Sequence, residues 1–442
     1  MAHDMTKGKI MPQLISFTIP LVLGNLFQLT YNAADSMIVG KYLGDNALAA
    51  VGTAGPIMNL AILFISGICM GAGILMSSQF GAKEEETLKR QISTTMVGGL
   101  VFSALVTLSM MIGAKPVLRL LQVPEEILNS AAGYLRIVFL GFMFTFIYNF
   151  FSNTLRALGD SKASLYFLMI SSAFNIVGDL FFVAVLHWGV NGSAAATVLS
   201  QIICCLCCFF YISKRVPLMR LGRQWLVFDQ TLLRRTVAFG ITSALQLVSV
   251  QLGKVLVQSM VNMQGIAFMA AFTAVNRIDD FALTPQQNIG HAATTFMAQN
   301  KGAKQTERMK KGFLDGVFIE TVYTITVAAF VFLMARPIME LFIDKNSSEV
   351  IDMGVSYMRI IAPLYLLSGS GNIVQGYFRG IGDLKITLIS SLSNITVRVI
   401  SVFFMITMAN GGFGRLALAC GFGWMTMNLL EIPLLIKRWK EM

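Results

Sequence analysis

Long hydrophobic runs separated by short polar segments cover the chain almost from end to end. Each run is long enough to cross the hydrocarbon layer of a membrane, which takes roughly 17 to 25 helical residues. The pattern therefore predicts an all-α integral membrane protein with twelve transmembrane helices. The predicted spans lie near residues 14–37, 51–78, 91–113, 131–153, 163–186, 192–213, 236–260, 266–297, 312–335, 354–377, 386–409 and 414–436.

The second half of the chain repeats short sequences of the first half. NTLRALGDSK, which begins at Asn153, recurs as GYFRGIGDLK from Gly376, and FGAK ending at Lys83 recurs as KGAK ending at Lys304. Both pairs are separated by roughly 220 residues, which indicates that whole halves are duplicated. Six spans in each half place the start of both halves on the same side of the membrane. The duplication predicts a secondary transporter with two pseudo-symmetric six-helix lobes.

Composition and charge fit this arrangement. Hydrophobic residues make up 55% of the chain and charged residues 13%, whereas a soluble domain has about a quarter charged. Alternate polar segments hold roughly three times as many basic residues as the others, which predicts that both termini are cytoplasmic. Because membrane orientation explains the net charge of +11, we expect no nucleic-acid partner. The predicted lobes are 1–213 and 236–442, and 214–235 is a basic cytoplasmic linker.

The sequence lacks a nucleotide-binding motif, which limits the possible energy sources for transport. The sequence GxxxxGK[ST], which binds nucleotide phosphates, does not occur, and no loop is long enough for a soluble domain. We therefore predict a transporter driven by an ion gradient, without a cofactor, and not an enzyme.

Four segments together resemble the bacterial multidrug and toxic compound extrusion (MATE) family. They are TIPLVLGNLFQLTYNAADSMIVGKYLG from Thr18, the QFGAK after the second span, the LRALGD turn, and NIVGDLFF from Asn175. The resemblance implies a V-shaped antiporter that exports small lipophilic, often cationic compounds in exchange for protons or sodium. We also expect the protein to be a monomer, surrounded by membrane lipids, in the inner (plasma) membrane.

Asp35 in span one and Asp179 in span five are the main candidates for ion coupling. An aspartate at the centre of a transmembrane helix costs about 2.5 to 3.5 kcal/mol, so it persists mainly where it is used or paired. Both residues are expected in the outer half of the membrane and could share one site. Two close carboxylates at low dielectric need a proton or a cation such as sodium. Alternatively, Asp35 lies at the outer end of its helix and is solvated at the lipid interface, and Asp179 forms a structural hydrogen bond between helices.

Further oxygen-bearing side chains are expected near these two acids. Asn175 lies one helical turn before Asp179 and could join a sodium site with both aspartates. The family resemblance adds a polar network in the first lobe, although each member could equally be a structural contact between helices. These residues are Thr197, Tyr134, Asn153 and Gln28.

The second half has different charges at the repeat-equivalent positions. Lys254 and Arg398 occupy positions that are asparagines in the first half, and the two aspartates are replaced by valines. We therefore expect ion coupling in the first lobe alone. The two cations either form structural ion pairs or line the cavity and tune the charge of the substrate. Their candidate partners are Glu320, Asp279 and Asp280.

Two alternative functions and one mechanical hypothesis remain open at this stage. A flippase for lipid-linked saccharides would favour more central cations and additional spans. A non-transporting membrane scaffold or receptor has little reason to keep two acids at membrane depth. Pro20 removes a backbone hydrogen bond in span one and could couple protonation of Asp35 to a bend, or be a fixed kink.

Overall fold

The chain forms helices along nearly its whole length. The computed structural model describes residues 4–220, 222, 227–344, 347–407 and 412–441, and no strand occurs among them. Helices suit a lipid environment because every backbone group is satisfied within the segment. The helices are α1 (Ile10–Leu43), α2 (Asp45–Gly81), α3 (Glu85–Leu120), α4 (Glu125–Leu140), α5 (Phe142–Ala157), α6 (Ser161–Asp179), α7 (Val190–Arg215), α8 (Gln230–Asn262), α9 (Ile266–Gly302), α10 (Thr306–Leu333), α11 (Ala335–Phe342), α12 (Ser348–Ile381), α13 (Leu384–Thr407) and α14 (Arg415–Glu441).

The helices agree with the predicted all-α membrane fold. Among the described residues, ten helices are long and apolar enough to cross a membrane, and the bent pair α4–α5 supplies an eleventh span. The predicted span 266–297 falls on α9, which has 37 residues and carries Arg277, Asp279 and Asp280 along its length. The all-α membrane prediction is confirmed, and α9 is the most polar of the expected spans.

The fourth span differs from the single helix that was predicted. It is broken at Gly141, where α4 and α5 meet at an angle of 47°. A Cβ atom at Gly141 would lie 2.6 Å from a methyl carbon of Val198, so α7 packs directly against the break. A glycine in a transmembrane helix allows a neighbouring helix to approach this closely.

The sequence repeats adopt the same unusual backbone in both halves. Lys83 and Lys304, at the ends of FGAK and KGAK, have φ angles of 60° and 55°. Gly159 and Gly382, in the two GD turns, have φ angles of 85° and 86°. Positive φ is rare outside glycine, so its recurrence at both lysines shows that the repeat extends from sequence to local structure.

The described chain divides into two compact units. The first consists mainly of Ile19–Ala244, and the second of Met5–Thr18 together with Leu245–Met442, so α1 and α8 each contribute to both. The lobe limits 1–213 and 236–442 remain predictions from the sequence repeat, and part of the linker 214–235 lies outside the described residues.

Each unit has its own buried core. Phe142, Phe146 and Phe150 of α5 lie in the core of the first unit and bring three aromatic side chains from one face of one helix. The second unit is built around Tyr357 and Tyr365 of α12. This second core is more polar, because its largest buried side chains carry hydroxyl groups that need hydrogen-bond partners.

Candidate functional site

Asp35 and Asp179 meet in the first unit. Asp35 lies on α1, and Asp179 is the last residue of α6, directly before the π-helical turn Leu180–Val185. The two carboxyl groups interact electrostatically, and Ser193 of α7 faces both. The Ser193 hydroxyl donates a hydrogen bond of 3.2 Å to Asp35 Oδ1. A π-helical turn often marks a functional position, because it changes the direction in which neighbouring side chains point.

Asp179 is the more enclosed of the two acids. It is 0% exposed, and no hydrogen bond reaches either of its carboxylate oxygens within the described part of the chain. An ionised carboxylate in that position would be costly, since burial removes its water and Asp35 adds a like charge. The pair therefore has the chemistry to take up a proton, which would allow a hydrogen bond between the two groups, or a small cation.

Two tyrosines stand beside the acids. Tyr134 of α4 is buried, and both Tyr134 and Tyr31 of α1 interact electrostatically with both carboxyl groups. Gln28 lies within hydrogen-bonding reach of the Tyr31 hydroxyl. Among the described contacts, Gln28 is therefore linked to the acids through Tyr31. Phenolic oxygens can both donate to a carboxylate and accept from a protonated one, which suits a site whose charge changes.

Asn175 of α6 and Thr197 of α7 are joined by a hydrogen bond. Asn175 is buried and donates a hydrogen bond of 3.3 Å from Nδ2 to Thr197 Oγ1, while its Oδ1 receives no donor among the described residues. Asn175 is one helical turn from Asp179. A free amide oxygen so close to a carboxyl group adds an oxygen of the kind that sodium prefers.

Asn153 stands apart from this group. Its amide donates a hydrogen bond of 2.8 Å to the backbone carbonyl of Asn149, one turn earlier on α5. No contact with Asp35 or Asp179 is described for it. Described contacts thus join Asp35, Asp179 and Tyr134 directly, and Gln28 through Tyr31. Asn175 and Thr197 form a separate pair that begins one helical turn before Asp179.

Ser193 and Tyr31 were not among the predicted site residues. Tyr31 lies one turn before Asp35, so helical spacing alone could have identified it. Ser193 gave no such signal, because it stands among small residues at the start of α7, where serine commonly serves helix packing. Its role depends on the position of α7 beside α1 and α6.

The charged residues of the second unit contact one another and two tyrosines. Lys254 Nζ of α8 lies 2.9 Å from Asp280 Oδ1 of α9, and the two side chains are 48% and 46% exposed. Asp279 accepts hydrogen bonds from the hydroxyls of Tyr357 (2.8 Å) and Tyr365 (2.5 Å). The partly buried side chain of Arg398 lies near both aspartates.

Glu320 is not a partner of either cation. Among the described residues, its only hydrogen bond comes from the Thr324 hydroxyl, one turn further along α10, at 3.4 Å. Of the three candidate partners for Lys254 and Arg398, the structure therefore pairs Asp280 with Lys254, places Asp279 beside Arg398, and leaves Glu320 without a positive neighbour.

Comparison with known proteins identifies the family. The MatE family profile matches residues 20–181 and 242–405. The chain is 29% identical over 411 residues to "Probable multidrug resistance protein YoeA" of Bacillus subtilis, with 91% of this chain and 88% of the relative covered. It also matches "Crystal structure of MATE in complex with MaL6" with a TM-score of 0.92, at 22% identity and 99% coverage of both chains.

A second solved structure, "Outward-facing conformation of a multidrug resistance MATE family transporter of the MOP superfamily", matches with a TM-score of 0.91 at 22% identity, covering 99% of this chain and 98% of that one. These structures agree in fold. The family profile covers more than half of the chain and confirms the family predicted from the sequence. The chain therefore belongs to the MatE family of multi-pass membrane transporters, which are not enzymes.

Proposed function

We propose that this protein exports small lipophilic compounds, mainly cations, in exchange for protons or sodium. The observation that carries the proposal is the pairing of Asp35 with the fully buried Asp179, whose carboxylate oxygens receive no hydrogen bond in the described structure. Such a pair changes charge when it binds a proton or a cation, and a change of charge can be linked to transport. The relative named for multidrug resistance supports drugs as the cargo.

The mechanism we propose is alternating access. With the cavity open to the outside, Asp35 and Asp179 take up the coupling ion, which disfavours the bound compound and releases it. The protein then opens inward, loses the ion and reloads. A ligand shifts such an equilibrium only through its different affinity for the two states, so ion and compound must exclude one another at least in part.

The surrounding residues have separate roles in this proposal. Ser193 positions Asp35 by a hydrogen bond. Tyr31 and Tyr134 can donate to the acids when these are charged and accept from them when they are protonated. Asn175 and Thr197 supply further oxygens, which would complete a sodium site or assist a proton. In the second unit, Lys254 and Asp280 neutralise one another, which leaves room for a cationic substrate.

We further propose that the transporter works as a monomer in the plasma membrane, with both termini in the cytoplasm. The excess of basic residues in alternate polar segments supports this orientation. The proposed lobes 1–213 and 236–442 would move relative to one another during the cycle, as in other transporters with parallel repeats.

Transport by the purified protein in liposomes tests the proposal. Efflux of ethidium, a lipophilic cation, is driven by an imposed proton gradient or by an imposed sodium gradient. Asp35→Asn and Asp179→Asn remove one charge each with almost no change in shape. Asp352→Asn on the exposed start of α12 is the matched control, since it makes the same chemical change outside the site.

We expect both site variants to lose gradient-driven efflux while the control retains it. Loss of the proton-driven component alone would identify the proton as the coupling ion, and loss of the sodium-driven component alone would identify sodium. Undiminished efflux in both site variants would refute the assigned coupling site.

A further inference from the structure

Glu320 is a second buried acid that the proposed mechanism does not use. It lies at the middle of α10 and is 2% exposed. Its Oε1 accepts the hydrogen bond of 3.4 Å from Thr324, and its Oε2 receives no donor within the described ranges. A carboxylate at the centre of a transmembrane helix is costly, so its persistence calls for a partner or a function.

Gln286 of α9, which shares Thr324 with Glu320, has a second acceptor atom that receives no hydrogen bond from the described residues. Its Nε2 donates to Thr324 Oγ1 at 2.9 Å and to the backbone carbonyl of Tyr365 at 3.3 Å. Its Oε1 is buried and receives no hydrogen bond from the described residues. Thr324 therefore contacts both side chains, and each of them ends in a free acceptor. An added proton is the simplest ligand that turns one of these acceptors into a donor.

The carboxyl group of Glu320 has space because the large and the small residue exchange positions between the two repeats. In the register that aligns Lys83 with Lys304, Glu320 corresponds to Gly99. In the register of the two GD turns, Gly369 corresponds to Phe146.

The geometry at these positions is reciprocal. A Cβ atom at Gly99 would overlap the ring of Phe146, whereas a Cβ atom at Gly369 would lie 2.7 Å from Glu320 Oε1. An aromatic ring against a glycine in the first unit is thus replaced by a carboxyl group against a glycine in the second. The second repeat therefore holds a carboxyl group where the first repeat has apolar packing, and burial of a carboxyl group without a full set of partners is costly.

The cations of the second unit do not compensate Glu320. Lys254 is paired with Asp280, and Arg398 lies beside Asp279. Arg379 lies beside Glu431, whose Oε1 also accepts a hydrogen bond from Ser390. Among the described groups, Glu320 is therefore the buried acid of this unit that lacks both a cation and a strong donor, which favours its neutral, proton-carrying form.

The cluster sits at a point where α9 can change shape. Pro285, directly before Gln286, lies within α9 and is buried. A proline inside a helix removes one backbone hydrogen bond and weakens that turn. The Gln286 amide joins α9 to Thr324 on α10 and to Tyr365 on α12, so a bend at Pro285 would change the surroundings of Glu320.

We propose that Glu320, together with Gln286 and Thr324, forms a second proton-binding site, which loads and releases one proton during transport. When the site is loaded, a proton from water is bonded to Glu320 Oε2; on release the O–H bond breaks, the electron pair stays on the carboxylate and the proton returns to water. The inference rests on the proposed export function and changes the expectation that coupling belongs to the first unit alone.

The test measures proton release when the purified, full-length protein binds tetraphenylphosphonium in a weakly buffered detergent solution with a pH-indicator dye. The paired variant Asp35→Asn with Asp179→Asn is compared with the same variant carrying Glu320→Gln. We expect the paired variant to retain about one released proton per bound cation, and the triple variant to lose it. Infrared difference spectra should lose a carboxylic-acid C=O band in parallel.

Two further variants separate a proton site from a structural role. Glu320→Gly with Gly369→Phe, added to the paired variant, copies the packing of the first repeat. This protein should remain folded but should no longer release a proton when it binds the cation. Glu431→Gln removes a buried carboxyl group beside Arg379 in the same unit and should leave the release unchanged.

If adding Glu320→Gln to the paired variant changes neither the proton release nor the infrared difference spectrum, the inference is overturned, because Glu320 then neither takes up nor releases a proton. An equal loss in Glu431→Gln would also overturn it, since the effect would not be specific. These results are distinguishable from failure of the proposed function, in which the Asp35 and Asp179 variants retain gradient-driven efflux.

Discussion

Ser193, at the start of α7, donates a hydrogen bond of 3.2 Å to Asp35 Oδ1 on α1, although 158 residues separate the two along the chain. Ser193 is completely buried and also faces Asp179. It therefore links the two acids through a neutral group that can donate to only one acceptor at a time. A change of charge at either acid would alter which of them Ser193 contacts.

Replacement of Ser193 by alanine should weaken coupling without abolishing transport. A hydrogen bond to a charged group contributes about 1.5 to 3 kcal/mol. The proton or sodium concentration for half-maximal efflux should therefore shift by about 10- to 100-fold, which for protons is about one to two pH units. Efflux from liposomes over a range of pH and sodium concentration measures the shift. Ser200→Ala, a buried serine on the same helix that donates to the Thr197 carbonyl, is the matched control. A profile identical to wild type would show that Ser193 does not act on the pair.

The ion pair between Lys254 and Asp280 should contribute little to stability. Both side chains are about half exposed, and pairs of that kind contribute roughly 0 to 1 kcal/mol. A double-mutant cycle with Lys254→Ala and Asp280→Ala, followed by thermal unfolding in detergent, should give an interaction energy in that range. The exposed pair Arg90–Glu86 on α3 provides a comparison cycle. An interaction of several kcal/mol would instead indicate that the pair is withdrawn from water.

The same pair should influence the choice of substrate. Charged side chains that remain exposed within membrane-spanning helices are expected to face water and not lipid. Lys254→Gln should therefore raise the efflux of cationic dyes relative to neutral dyes, because it leaves Asp280 without its positive partner. Competition between ethidium and an uncharged fluorescent dye measures the ratio. An unaltered ratio would assign Lys254 a structural role.

Pro20 should affect how α1 responds when Asp35 and Asp179 bind the coupling ion. It lies buried inside α1, next to the boundary at which the helix passes from residues of the second unit to residues of the first. Pro20→Ala restores a backbone donor, so it should stiffen the turn and change the ion dependence of efflux. Leu21→Ala, a buried neighbour, controls for lost packing. The bend has no coupling role if Pro20→Ala transports with the wild-type pH and sodium profile.

Arg308 should fasten the N-terminal segment to the second unit. Its guanidinium donates to the backbone carbonyls of Met5 (3.0 Å), Gly8 (2.8 Å) and Lys7 (3.0 Å), and to Gln13 Oε1 (3.0 Å). Arg308→Ala should lower the free energy of unfolding by about 1 to 3 kcal/mol, because several carbonyl groups lose their charged donor.

Hydrogen exchange at residues 5–13 measures the local effect of that change, and thermal unfolding measures the global effect. Arg308→Lys should restore only part of the loss, since an ammonium group lacks the planar, five-donor geometry of guanidinium. Lys311→Ala, at an exposed position on the same helix, is the control. Exchange rates that do not change in Arg308→Ala would show that other contacts hold the segment.

The length of the hydrophobic runs was sufficient to predict an all-α membrane protein, because an apolar stretch of spanning length has few alternatives in lipid. The repeat in the sequence also predicted repeated local structure, which appears in the matching φ angles of Lys83 and Lys304 and of the two GD glycines. Asp35 and Asp179 could be selected from the sequence because a charge at membrane depth is rare and costly, whatever its neighbours.

Other features depend on contacts between residues that are distant along the chain, and a sequence pattern carries no record of them. The close packing of Val198 of α7 against the break at Gly141, and the selection of Ser193 as the donor to Asp35, both depend on where α7 lies. The pairing of Lys254 with Asp280, and the isolation of Glu320 against Gly369, were equally open in the sequence. Which acid meets which cation is fixed by side-chain geometry within the packed unit, because a buried charge is stabilised only by groups within a few ångströms.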